Sequence, residues 1–202
     1  METPATRSEK RNLVSSVFIT ILLGIAYQEM IGPAKASLQL SGLSFGLIAY
    51  FAIFILTTLR FFIGSQVHIN DHLLELGGKF WFFDLAFIAL EMTVMIFMGG
   101  VASPDASKLA RIPFSHYLIA LYAIDVAWIA LQWILAKIWR SWARSFFPWA
   151  WGLLNLVLIL LVVFVPPIFG GVDTPSGLIA FLAVNLVAFV IDVLLVNHYG
   201  VL

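Results

Sequence analysis

Long apolar stretches alternate with short polar segments along the whole chain. A transmembrane helix needs about 20 predominantly apolar residues, because it must cross a hydrocarbon core about 30 Å thick. Six stretches meet this requirement, and they cover residues 13–31, 43–63, 79–100, 114–138, 149–168 and 175–199. The pattern predicts an all-α, polytopic integral membrane protein with six transmembrane helices, built as a single membrane domain over residues 1–202.

The polar segments between the predicted spans are short, and we expect three kinds of connection. Residues 32–42 form a polar connector, and residues 101–113 form the longest loop, with prolines that make its ends non-helical. In residues 64–79, apolar and polar side chains alternate with helical period, which is typical of a short amphipathic helix at the membrane surface.

The lysines and arginines beside the spans are distributed unevenly between the two ends of the predicted bundle. One end holds Arg7, Lys10, Arg11, Lys79, Lys137, Arg140 and Arg144, and the other holds Lys35, Lys108 and Arg111. Cytoplasmic loops carry the excess of positive charge. Together with the even number of spans, this bias predicts that both termini are cytoplasmic, with the cell (inner) membrane as the location.

The composition supports a membrane protein and excludes several other classes. The chain is 62% hydrophobic and 11% charged, with a mean hydropathy of +1.02, whereas soluble domains contain about 25% charged residues. There is no cysteine, which excludes disulfides and thiolate metal sites. The formal net charge of zero argues against a nucleic-acid partner. The predicted partners are the lipid bilayer and either a second copy of the chain or other membrane subunits.

The third span carries two carboxylates, Asp84 and Glu91, at a depth where an ionised acid is costly. Their spacing of seven residues places them on nearly the same helical face, about 10 Å apart along the axis. The same spacing separates Asp125 from Gln132 in the fourth span, and Asn185 from Asp192 in the sixth. We therefore expect these faces to point into the bundle.

The predicted topology places the interior polar residues in two layers. The layer near the middle of the membrane contains Glu91, Asp125 and Asn185. The layer nearer the cytoplasm contains Arg60, Asp84, Gln132, Asn155 and Asp192. Arg60 and Asp84 lie at similar depth, and we expect them to form an ion pair. Four carboxylates with one arginine cannot all be ionised in a dry core, so either some are protonated or water and cations reach them.

These residues favour a proton or small-cation channel or transporter that uses Glu91 and Asp125 as intramembrane carboxylates. The alternative is a non-catalytic accessory or scaffold subunit of a larger membrane complex, in which the polar side chains only hold helices together. A third hypothesis is a lipid sensor that reads anionic lipid with Arg140 and Arg144 in its tryptophan-rich turn.

The sequence contains few of the motifs that would indicate an enzyme or a cofactor site. No metalloprotease, nucleophile-elbow or phosphate-loop motif is present, although an intramembrane hydrolase built on Asp84, Glu91 or Asp125 remains open. His68 and His72 have the spacing of metal ligands on a helix, but no third ligand accompanies them in a fixed pattern. The sequence identifies no cofactor.

Overall fold

In the computed structural model, residues 4–76, 81–138, 147–171 and 174–198 are described, with side chains within 11–67, 82–134, 149–165, 167–171 and 174–195. These residues form helices and no strands, which confirms the all-helical prediction. The helices are α1 (Pro4–Ser41), α2 (Phe45–Leu76), α3 (Trp81–Gly99), α4 (Pro104–Leu109), α5 (Phe114–Ile138), α6 (Phe147–Ile168) and α7 (Pro175–His198).

Five of these helices are long and apolar enough to cross a membrane: α1, α2, α3, α5 and α7. The apolar part of α6, Trp149–Val165, is shorter. Large hydrophobic side chains are exposed on the outer faces of the bundle, including Leu13, Leu153 and Phe164, each more than 60% exposed. Such surfaces suit lipid contact rather than water. The exact number of six spans and the cytoplasmic placement of both termini stay predictions.

The first helix is longer than expected, because it continues through the polar connector at residues 32–42. Pro33 lies inside α1 and does not end it. The helix ends instead at Gly42, which has a left-handed φ of 70° and whose N–H donates to the Leu38 carbonyl oxygen at 3.0 Å. Glycine adopts this conformation readily and closes many helices in this way. The expected connector is therefore mostly helical.

Two further connections differ in part from the prediction. Residues 64–76 do not form a separate surface helix but continue α2 as one helix to Leu76. The loop at 101–113 is non-helical at its ends, as expected, but its middle forms α4. Ser103 caps this short helix, because its side chain accepts a hydrogen bond from the Ala106 N–H, and Pro104 occupies the first turn.

Side-chain pairs show how the helices pass one another. α1 and α2 are antiparallel, since Ser16 bonds Gln66 at 3.0 Å and Tyr27 bonds Thr58 at 2.8 Å. The most extensive helix contacts join α1 with α3, α2 with α7, and α5 with α6. The interior faces of α2, α3, α5, α6 and α7 meet around a common core, and this core contains the candidate site.

Candidate functional site

Every polar residue that the sequence places inside the bundle is buried. The exposed fraction is 5% or less for all eight: Arg60, Asp84, Glu91, Asp125, Gln132, Asn155, Asn185 and Asp192. A side chain enclosed to this degree has almost no surface that water could touch in this state. Polar groups in such surroundings require hydrogen-bond partners within the protein.

Arg60 on α2 lies at the centre of the site and binds two other helices. Its Nε donates to the carboxylate of Asp192 on α7, and its Nη2 donates to Oδ1 of Asn155 on α6 at 3.2 Å. The prediction of an ion pair between Arg60 and Asp84 is therefore wrong. The reason is helix order, because α2 packs more extensively against α7 than against α3, which carries Asp84.

Aromatic rings also surround the guanidinium group of Arg60. Its central carbon lies 5.6 Å from the ring centroid of Tyr122 and 5.6 Å from that of Trp151. Rings at this distance attract a cation through their negative faces, most strongly where water is excluded. The buried charge of Arg60 is thus compensated by a carboxylate, an amide oxygen and two aromatic faces.

A second part of the site surrounds the carboxyl group of Asp125 on α5. Its Oδ2 accepts hydrogen bonds from Trp151 Nε1 and from Asn155 Nδ2. The carboxyl group of Glu91 on α3 lies close enough to that of Asp125 for the two to interact electrostatically. Two carboxylates offer only acceptors, so a hydrogen bond between two carboxyl groups requires a proton on one of them. A proton on either acid would therefore allow Glu91 and Asp125 to form such a bond.

Asn155 joins these two parts into one network. Its amide oxygen accepts from Arg60, and its amide nitrogen donates to Asp125. The resulting series of contacts runs from Glu91 through Asp125, Asn155 and Arg60 to Asp192, and it crosses α3, α5, α6, α2 and α7. The predicted separation into two layers is therefore incomplete, since Asn155 links them directly.

Asn185 belongs to a neighbouring cluster rather than to the contacts of Glu91 and Asp125. Its Oδ1 accepts from the Tyr122 hydroxyl at 2.9 Å and from the Thr57 hydroxyl at 3.3 Å. Its Nδ2 donates to the Phe181 carbonyl oxygen at 2.9 Å. Because the ring of Tyr122 lies against Arg60, this cluster fixes one wall of the network.

Three atoms of the network have no hydrogen-bond partner within the described part of the chain. They are Oε1 of Glu91, Nη1 of Arg60 and Oδ1 of Asp192. Buried polar atoms without partners are rare and call for an explanation. These atoms leave the network one unused donor group and two unused acceptors.

Sequence reasoning missed Thr57, Tyr122 and Trp151, and helical spacing could have found them. Thr57 precedes Arg60 by three residues, Tyr122 precedes Asp125 by three, and Trp151 precedes Asn155 by four. Such neighbours share a helical face. Trp151 follows a tryptophan-rich segment of the kind found at membrane surfaces, yet its side chain is 5% exposed and bonds Asp125.

Gly64 provides the space into which Trp151 fits, and Gly64→Ala is expected to displace that ring. A methyl group at this position would lie 2.6 Å from two carbons of the indole ring. We expect the variant to lose about 1–3 kcal/mol of stability, the usual range for overpacking a core, measured by unfolding in detergent. Gly24→Ala is the matched control because no atom lies within 4 Å of its added methyl group. Equal stability of the two variants would contradict this packing.

The metal prediction for His68 and His72 is not tested, since both side chains lie outside the described residues. Among the side chains that are described, no group of three or more His, Cys, Asp or Glu residues is placed to hold a metal ion.

Five helices thus contribute to one buried network of three acids, one amide and one arginine. Comparison with known proteins gives no match for this chain among family models, curated proteins or solved structures.

Proposed function

We propose that the protein moves protons across the membrane through the network that joins Glu91 to Asp192. The observation that carries the proposal is the close approach of two buried carboxyl groups, Glu91 and Asp125, from which hydrogen bonds continue through Asn155 to the Arg60–Asp192 pair. Ionisable residues inside membrane bundles are expensive to bury and typically mark ion pathways or proton relays.

Close packing favours a proton over a hydrated cation. The five side chains that form the network are each 3% exposed or less. A sodium or potassium ion would need several oxygen ligands, and a space for it would require these side chains to separate. A proton needs only a hydrogen bond along which it can move. The same residues therefore support proton exchange without a large opening of the bundle.

Each acid has a distinct role in the proposed pathway. Glu91 takes up a proton at its unpaired oxygen and passes one to Asp125 across the hydrogen bond that the protonated pair can form. A guanidinium group is always charged in proteins, so Arg60 acts as a movable positive charge rather than a proton carrier. As Asp125 releases this proton, Arg60 shifts from Asp192 towards the newly charged Asp125, and Asp192 accepts the same proton through water that enters during the shift. Release from Asp192 then restores the ion pair.

A proton flux assay in liposomes tests the proposal. Wild-type protein is expected to acidify vesicles under an imposed potential, whereas Glu91→Gln and Asp125→Asn should reduce the rate roughly a hundredfold or to the leak of empty vesicles. The estimate follows from the 10²–10⁴-fold contribution of a positioned proton-transfer group. A potassium flux assay on the same vesicles distinguishes protons from other cations.

Glu29→Gln is the matched control for this experiment. It makes the same chemical change on an exposed glutamate of α1, outside the network, and it should conduct as the wild type does. All variants must elute as folded protein before they are compared. Folded Glu91→Gln and Asp125→Asn variants with wild-type flux would refute the relay, and wild-type protein without flux would favour the second candidate.

The second candidate is an accessory subunit, and an apolar surface at one end of the bundle favours it. α1 extends past the end of α3, which packs against it at Ala26 and Met30. The extension and the neighbouring connection expose Leu38, Leu40 and Leu109 at 48%, 79% and 88%. Because the chain has no native cysteine, Leu40→Cys and Leu109→Cys can be crosslinked in native membranes. Specific adducts at both, and none at Leu153→Cys, would support an accessory role.

A further inference from the structure

A cavity of about 450 Å³ lies at the end of the bundle where α2 and α7 begin. This volume falls in the range of roughly 300–1,000 Å³ that is typical of small-ligand sites. Apolar residues form most of its walls, among them Phe45 and Tyr50 of α2 and Leu178 and Ile179 of α7. α4 covers the cavity with Pro104 and Lys108.

The cavity opens towards the side of the bundle that faces lipid. Tyr50 and Leu178 form its floor and are 3% and 5% exposed, whereas Phe45 and Ile179 at its mouth are 47% and 54% exposed. Phe45 and Ile179 belong to the apolar outer surfaces of their helices. A flexible hydrocarbon chain can therefore enter from the bilayer between α2 and α7 without crossing a polar barrier.

Lys108 is the charged residue of this cavity, and it lies at the end of the bundle, where a lipid headgroup would be. It occupies the last turn of α4, is exposed, and forms no ion pair within the described residues. The nearby carboxylate of Asp105 is held by α1, since it accepts a hydrogen bond from the Ser37 hydroxyl at 2.5 Å. The positive charge of Lys108 is thus available to an anionic group above the apolar cavity.

We propose that this cavity binds one acyl chain of an anionic phospholipid, with the lipid phosphate on Lys108. A net negative headgroup matches a single unpaired cation, whereas a zwitterionic headgroup brings an ammonium group of its own and gains less. Basic residues beside a membrane helix attract anionic lipids in this way. The site is independent of the proton pathway, because none of its lining residues belongs to the buried network.

Native mass spectrometry of the delipidated protein, titrated with phosphatidylglycerol or phosphatidylcholine, tests the proposal. The wild type should retain phosphatidylglycerol preferentially. Lys108→Gln should weaken that retention about fivefold, the effect expected for one lysine near a lipid headgroup. Ile179→Trp should weaken retention of both lipids, because the larger ring obstructs the mouth. If Ile179→Trp does not fold, Phe45→Trp makes the equivalent change on the other wall.

Lys35→Gln is the matched control, since Lys35 is an exposed lysine on α1 outside the cavity. An equal loss of lipid in Lys35→Gln and Lys108→Gln would indicate general surface attraction and overturn the site. Unchanged retention in the folded tryptophan variant would show that the cavity is not occupied by lipid. A parallel titration with oleate tests the other source of an anionic chain, and binding of oleate without phosphatidylglycerol would overturn the assignment to a phospholipid.

Discussion

Replacing Asp192 with leucine is expected to lower the free energy of unfolding by about 3–5 kcal/mol, the range for removing one partner of a buried ion pair. Asp192 is the carboxylate bound directly to Arg60, and both side chains are fully buried. Without it, the guanidinium group would keep its hydrogen bond to Asn155 and its two aromatic neighbours. These contacts do not neutralise its charge.

A double variant, Arg60→Met with Asp192→Leu, separates the effect of an unpaired charge from the effect of lost packing. Replacing a whole buried ion pair by apolar residues of similar size is often neutral or stabilising. We therefore expect the double variant to be more stable than Asp192→Leu alone. Unfolding of the three proteins in mixed detergent micelles measures the difference. If Asp192→Leu lowers the free energy of unfolding by less than about 1 kcal/mol, Arg60 does not depend on Asp192 for its compensation, and the prediction is wrong.

Gly99→Ala is expected to destabilise the bundle by about 3 kcal/mol, at the upper end of the usual cost of overpacking. A methyl group there would lie 2.5 Å from the carbonyl oxygen of Ala26 and 3.3 Å from the backbone nitrogen of Met30. Both atoms belong to the backbone of α1, so no side-chain rotation can relieve the clash. α1 and α3 would have to separate along the most extensive helix contact in the described part of the chain.

The neighbouring residue supplies the control for this prediction. A methyl group added at Gly100 would meet the Phe97 carbonyl oxygen at 3.4 Å, an ordinary contact distance. Gly100→Ala should therefore unfold at nearly the temperature of the wild type in the same detergent, while Gly99→Ala unfolds several degrees lower. Similar unfolding temperatures would mean that α1 and α3 do not approach as closely as described.

Hydropathy and helical period predict much of this fold, because both depend on residues close together in the chain. They identify the helical class and the inward faces that carry Glu91, Asp125 and Asp192. They fail at the end of α1, since Pro33 resembles a helix break, whereas the rest of that segment consists largely of good helix formers. From the sequence alone, it is not possible to tell whether a helix continues beyond an isolated proline with the backbone hydrogen bonds of its later turns intact.

The pairing of the polar residues is not predictable in the same way. Depth alone allows Arg60 to meet either Asp84 or Asp192, and the choice depends on which helix lies beside α2. That order results from packing across the whole bundle, including the fit of Trp151 against Gly64. Tyr122 and Thr57 were overlooked because each is compatible with an apolar span when it is considered singly.

The fixed orientation of the Asn155 amide determines how Arg60 and Asp125 influence each other. Its amide is oriented by two bonds at once, with its oxygen towards the cation of Arg60 and its nitrogen towards the acid of Asp125. A reversed amide would place like partial charges against both neighbours, so its dipole has one stable direction. The amide does not titrate. Asn155 therefore transmits the electrostatic influence of Arg60 to Asp125 but cannot itself carry a proton, so a proton that leaves Asp125 for Asp192 has to travel through water beside the amide.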